Sequence, residues 1–172
     1  FNPQGAQEGE FQYESGLFTD MVVFNNETYV VGTGFSNNTS CLLYGKINSL
    51  GELLWMNEYF FEANTGVSSI NGPGTSTKIT FFNNELHVLT GSDSFTGYAN
   101  NIWLTIDLEG NIIEDQIIEG MSVMNVECTE NGILFLGNYS ELVFDDNGPI
   151  PISYFDDGAR IMSLNQNGEI NW

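Results

Sequence analysis

Apolar residues in this chain come in short runs broken by Asn, Gly and acidic residues. None of these runs sustains the 3.6-residue period of an amphipathic helix. The runs CLLYGKI (Cys41–Ile47), NIWLTI (Asn101–Ile106) and RIMSL (Arg160–Leu164) are rich in β-branched and aromatic residues, which suit a pleated, half-buried surface. Each is followed by a polar turn and a second apolar run: ELLWMNEYF (Glu52–Phe60), NIIEDQII (Asn111–Ile118) and the shorter EINW (Glu169–Trp172). The turns share one plan. Asn48, Asp107 and Asn165 each stand three residues before Gly51, Gly110 and Gly168, and these glycines are 59 and 58 residues apart. An Asn or Asp side chain satisfies the backbone of a tight turn, and the glycine supplies the positive φ that closes a bulged hairpin.

A second hairpin recurs upstream. VFNNETYVVG (Val23–Gly32), FFNNELHVLTG (Phe81–Gly91) and ECTENGILFLG (Glu127–Gly137) each read as a strand end, an Asn-containing turn and an apolar strand ending at glycine. One repeat is therefore four short antiparallel strands. Such repeats of about 50 to 60 residues predict an all-β fold of β-propeller blades, in which each small sheet buries its faces against its neighbours. The expected organisation is residues 17–62, 75–119 and 121–172 as three four-stranded blades. Residues 1–16 are a linker or the outer strand of a preceding blade, seen in EFQYES (Glu10–Ser15). Trp55 and Trp172 fall at equivalent places on the outermost strands, where an indole covers the joint between sheets. The middle repeat has Glu114 there, which predicts a more exposed outer strand or a register slipped by one. Propellers close with four to eight blades. Three blades, the last cut short, predict part of a larger ring whose remaining blades lie in the same chain or come from a partner. The start at Phe1 rather than Met fits a processed or excised piece.

Charge narrows the partners. Among 172 residues, 23 Asp and Glu face only Lys46, Lys78 and Arg160, for a net charge of −20. Displacing counterions from phosphate takes clustered basic residues, so nucleic acid and anionic membrane surfaces are poor partners. No run of about 18 apolar residues appears, so no membrane-spanning helix is expected. Cys41 and Cys128 lack metal-site spacing; they read as two separate small apolar residues rather than a disulfide.

The residues Gly137, Phe144, Asp157, Ala159–Asn165, Gly168 and Trp172 carry a further signal, as do Gly32, Lys46, Ile47, Asn48, Gly51 and Trp55 in the first repeat. Together they resemble the β-propeller repeat of large secreted and surface proteins of Bacteroidetes and related bacteria. The middle repeat keeps only Gly91, Asp107 and Gly110 of this pattern and lacks its Lys and Trp. The resemblance implies export to the cell surface, as in substrates of the type IX secretion route. It carries no catalytic residues.

Candidate chemistry is sparse. His87 is the only histidine and occupies the repeat position of Tyr29 and Leu134, which favours packing over catalysis. NGPGTSTKIT (Asn71–Thr80) lacks the Gly-Lys-Ser/Thr order of a phosphate loop and reads as a connection between blades. Asp145, Asp146 and Asn147, with Asp156 and Asp157, bracket an insertion and form a candidate calcium site, since calcium takes several oxygen ligands on a bent loop; solvated turns are the plainer reading. Loops expected at 33–41, 62–77, 92–101 and 138–158 hold Phe35, Phe95, Tyr98, Tyr139, Tyr154 and Phe155, aromatics that suit a glycan or protein partner or fill gaps between blades. The function this supports is non-catalytic binding or display outside the cell. The alternative is a glycan-active hydrolase or lyase using carboxylates near the propeller axis, with Glu114, Asp115, Asp145 and Asp157 as nominal candidates.

Overall fold

The computed structural model describes residues 16–36, 39–60, 77–92, 100–118, 122–129, 132–145 and 152–165, all strand or tight turn. The first sheet holds β1 (Gly16–Phe24), β2 (Glu27–Ser36), β3 (Thr39–Ile47) and β4 (Leu53–Tyr59), in spatial order β1-β2-β3-β4. The second repeats that order with β5 (Lys78–Phe82), β6 (Glu85–Ser92), β7 (Asn100–Ile106) and β8 (Ile112–Ile118). The third comprises β9 (Ser122–Thr129), β10 (Gly132–Asp145) and β11 (Ile152–Leu164), with β10 in the middle. All pairings are antiparallel. The expected fourth strand of the third sheet, EINW, lies outside the described residues.

The turns form for the reasons their residues predict. Asn25 and Asn26 join β1 to β2, and Asn83 and Asn84 join β5 to β6; all four have φ between 51° and 64°. Two successive left-handed residues make the turn whose twist matches a hairpin, and Asn tolerates that region better than other non-glycine residues. In the second hairpin of each four-stranded sheet, Asn48 Oδ1 accepts from the backbone N–H of Leu50 and Glu52, and Asp107 Oδ1 accepts from those of Glu109 and Asn111. Gly51 and Gly110 follow at φ 81° and 92°. The strands then shift register at the same place, Lys46/Ile47 and Thr105/Ile106. Glu114 consequently sits opposite Thr105 as Trp55 sits opposite Lys46. The loss of Trp at that position leaves the register intact, and β8 is exposed along most of its length.

The sheets pack face to face, always in the same direction. Directly opposed residues of antiparallel strands share a face. The first sheet presents Tyr29, Val31, Leu42 and Tyr44 to Ile79, Leu86, Val88, Ile102, Leu104 and Ile106 of the second. The second presents Leu89 and Trp103 to Val126, Ile133, Phe135 and Met162 of the third. Burying each such side chain contributes about 1.5 to 3 kcal/mol, so these two seams hold the sheets together. The first strands are also joined directly. A register shift between Phe18 and Asp20 aims two side chains at the start of β5: Thr19 Oγ1 donates to the carbonyl of Thr77, the residue before it, at 3.0 Å, and Asp20 Oδ2 accepts from the Ile79 N–H at 3.1 Å. Phe24 stacks on Phe81 with ring centroids 3.8 Å apart.

Two expected loops are strands instead. Thr33–Ser36 continues β2, and Thr39–Cys41 opens β3. Most of the segment 138–158 forms the far ends of β10 and β11. The physical reason is composition: SELVFD and ISYFDD carry enough β-branched and aromatic residues to extend the ladder as a long hairpin.

Candidate functional site

The side chains with the greatest chemical reactivity are held by the sheets: His87 and Cys128 at the joint of the second and third, Cys41 buried on the face of the first that points away from the second. His87, on β6, is buried between Phe82 and Trp103, and its Nδ1 accepts from the Trp103 indole N–H at 3.2 Å. That bond puts the proton of the neutral ring on Nε2, which has no hydrogen-bond partner. Burial pushes the pKa down to about 4, although the nearby Phe82 backbone opposes the shift. A neutral, enclosed imidazole holds the seam and does not shuttle protons. Both cysteines are free thiols. Burial raises the pKa of each, and Cys128 is further held between Thr80 Oγ1 at 2.8 Å and the Phe81 carbonyl at 3.1 Å. Thiols so placed are poor nucleophiles.

Lys46 is also committed to structure. Its Nζ lies 2.7 Å from Glu27 Oε2 and 5.3 Å from the centre of the Tyr29 ring. Burial disfavours the ammonium, but the contacts with Glu27 and Tyr29 outweigh it and raise the pKa. Beside it, Trp55 packs at 6.3 Å from Tyr29 and 6.0 Å from Tyr44. The Gly110 carbonyl accepts from Asn57 Nδ2 at 3.0 Å and from the Tyr44 hydroxyl at 3.4 Å. The turn of the second sheet is thus seated on the face of the first, and Trp55 covers that joint as its repeat position predicts.

Two of the carboxylates proposed for axial catalysis lie away from the first strands. Glu114 and Asp115 lie on β8, at the opposite edge of their sheet from β5, where the first strands meet. Asp115 Oδ2 instead accepts from the Tyr59 hydroxyl at 2.7 Å, tying the outermost strands together. The cause is the strand order, which puts the fourth strand of each four-stranded sheet farthest from the first.

Six of the remaining candidates fall on one element. β9 pairs with β10 only as far as Asn138. Beyond it, β10 and β11 continue as a two-stranded arm from the pair Tyr139↔Gly158 to the pair Asp145↔Ile152, about 20 Å at roughly 3.4 Å per residue. Along this arm Tyr154 stands opposite Val143, Phe155 opposite Leu142, Asp156 opposite Glu141 and Asp157 opposite Ser140. The arm therefore collects Tyr139, Tyr154, Phe155, Asp145, Asp156 and Asp157. Asp145 and Asp156 are four ladder steps apart, about 13 Å along the strand. Asp146 and Asn147 lie outside the described residues, as do Phe95 and Tyr98. No group of three or more His, Cys, Asp or Glu poised for a metal occurs among the described residues. Phe35, near the end of β2, is 59% exposed.

The repeat register also marks residues that motif searching passes over. Val31↔Tyr44, Leu89↔Trp103 and Leu136↔Ile161 are the same cross-strand pair in the three sheets. The first two pairs are buried, and the third is exposed. Aligning the three copies is enough to find them.

No family model matches this chain, and neither does any curated protein or solved structure.

Proposed function

We propose that the chain is an arc of an exported bacterial β-propeller that binds or displays a protein or glycan at the cell surface, without catalysis. The observation that carries this reading is the β10–β11 arm. It sets aromatic and acidic positions beyond the three-stranded part of the third sheet, while the joints between sheets absorb His87, Cys128 and Lys46, and Cys41 is buried within the first sheet. The arm's composition suits stacking on sugar rings or pairing with a basic protein surface. The same-direction packing of sheets with equivalent strand order supports the propeller, since a constant step between sheets is what closes a ring. The net charge of −20 fits a surface exposed to solvent and repels nucleic acid.

The test is a glycan array read with the labelled protein, beside a variant in which residues 141–156 are replaced by Asn-Gly. The expected result is retention on a subset of glycans, lost in the shortened variant while its circular dichroism stays β-rich. Release of reducing ends from a polysaccharide panel would overturn the non-catalytic reading. Equal retention by both proteins would remove the arm from it.

A further inference from the structure

β8 is the last strand of the second sheet, and among the described residues no strand pairs with its outer side. Soluble proteins ordinarily blunt such an edge with lysine, proline or shortness, because its free N–H and C=O groups template pairing with another chain. β8 runs for seven residues without lysine or proline. It carries three exposed isoleucines, Ile112, Ile113 and Ile117, at 37%, 54% and 41%. Its sequence, IIEDQII, also reads almost the same in both directions. Turned about Asp115 and laid against itself, it sets Ile113 opposite Ile117 and Glu114 opposite Gln116. The corresponding strand of the first sheet lacks this symmetry: turned about Met56, β4 sets Leu54 opposite Glu58. The difference lies at one repeat position, since Ile117 pairs with Ile102 as Glu58 pairs with Leu43.

We infer that a second copy of this chain adds its β8 to β8, antiparallel and about a two-fold axis at Asp115, so that the two second sheets join edge to edge. The contact is isologous: each copy gives the same strand and receives it. Directly opposed residues of antiparallel strands share a face, so isoleucine meets isoleucine on one face of the joined sheet and the Glu114 and Gln116 side chains meet on the other. Gln116 Nε2 donates to Glu114 Oε1 of its own strand at 2.7 Å, and the amide has a second hydrogen for Glu114 of the other copy. A slip of two residues in either direction sets Asp115 against isoleucine, which selects the symmetric register. The opposing forces are the charge of −20 on each chain and the meeting of Asp115 with its own copy at the axis, both weakened by salt. The inference rests on the order of the second sheet and the residues of β8, and not on the propeller reading.

Sedimentation equilibrium of the intact chain in about 0.5 M NaCl, where the Debye length is only about 4 to 5 Å, tests it. One strand pair is a small contact, so chain concentrations should reach about 0.5 mM. The expected mass at the upper end is twice 19.1 kDa. Ile117→Glu, which restores the residue of the first repeat, should hold the mass at one chain with circular dichroism unchanged, whereas Leu54→Glu on β4 should leave the pairing intact. The register is read by cross-linking. Opposed Cα atoms of antiparallel strands lie about 4.5 to 5.5 Å apart, within disulfide reach, so Asp115→Cys should oxidise to a two-chain species on a non-reducing gel. Ile112→Cys, about 20 Å from its own copy in this register, should not. A single-chain mass at every concentration would overturn the inference, and so would an Ile117→Glu variant that still pairs. Cross-linking of Ile112→Cys as readily as Asp115→Cys would overturn the two-fold axis at Asp115.

Discussion

His87 shows how one buried side chain sets a pH response. Its native pKa of about 4 lies below the ordinary 6.5, so the unfolded chain takes up a proton first as pH falls. The stability carried by the neutral ring is full above pH 6.5 and is lost progressively down to about pH 4, a difference of about 3 kcal/mol. Urea unfolding of the wild type and His87→Gln at pH 7, 5.5 and 4 should show the wild type losing ground to the variant by that order. A constant gap between them would mean that the ring is protonated in the folded chain. Gly110 is a second decisive residue. A methyl group there meets Asn57 Nδ2 at 2.8 Å and the Trp55 ring at 3.2 Å, on a backbone with φ 92°. Gly110→Ala is expected to cost about 2 kcal/mol, read from the urea midpoint. The turn role of Gly110 was legible from its spacing to Asp107. Its seating against Trp55 was not, because that contact joins residues more than 50 positions apart.

At the scale of elements, the irregular part of β1 does what regular strands cannot. The register shift at Phe18/Asp20 lets Thr19 and Asp20 both reach the start of β5, where Asp20 holds the Ile79 N–H. Asp20→Ala should cost about 1 to 2 kcal/mol, and the Ile79 amide should exchange with solvent markedly faster than its neighbours. Unchanged exchange would show that the bond does not tie the sheets. Hairpins were the readable elements, since Asn-Asn pairs and the Asn/Asp-to-Gly spacing act locally. The β10–β11 arm was misread as a loop because its Asp, Asn and Gly residues look like turn punctuation. Thirteen cross-strand pairs outweigh those local preferences once the two strands meet.

Across the whole molecule, charge and stacking oppose one another. With 23 acidic and three basic residues, self-repulsion strains the folded state at low ionic strength. The melting temperature is expected to rise by several degrees between about 10 mM and 200 mM NaCl, checked by scanning calorimetry, because added salt screens like charges on the surface. A flat response would mean that the carboxylates lie too far apart to repel.

The sequence by itself determined the all-β class, the hairpins and their recurrence, because strand alternation and turn chemistry depend on residues close along the chain. Only the tertiary structure decided which face of each sheet meets the next, that Asp115 takes the Tyr59 hydroxyl across the outermost strands, and that Tyr139, Tyr154, Phe155, Asp145, Asp156 and Asp157 share one arm. Those outcomes follow from strand order and register over long separations, where a shift of one residue exchanges the buried and exposed faces of a strand.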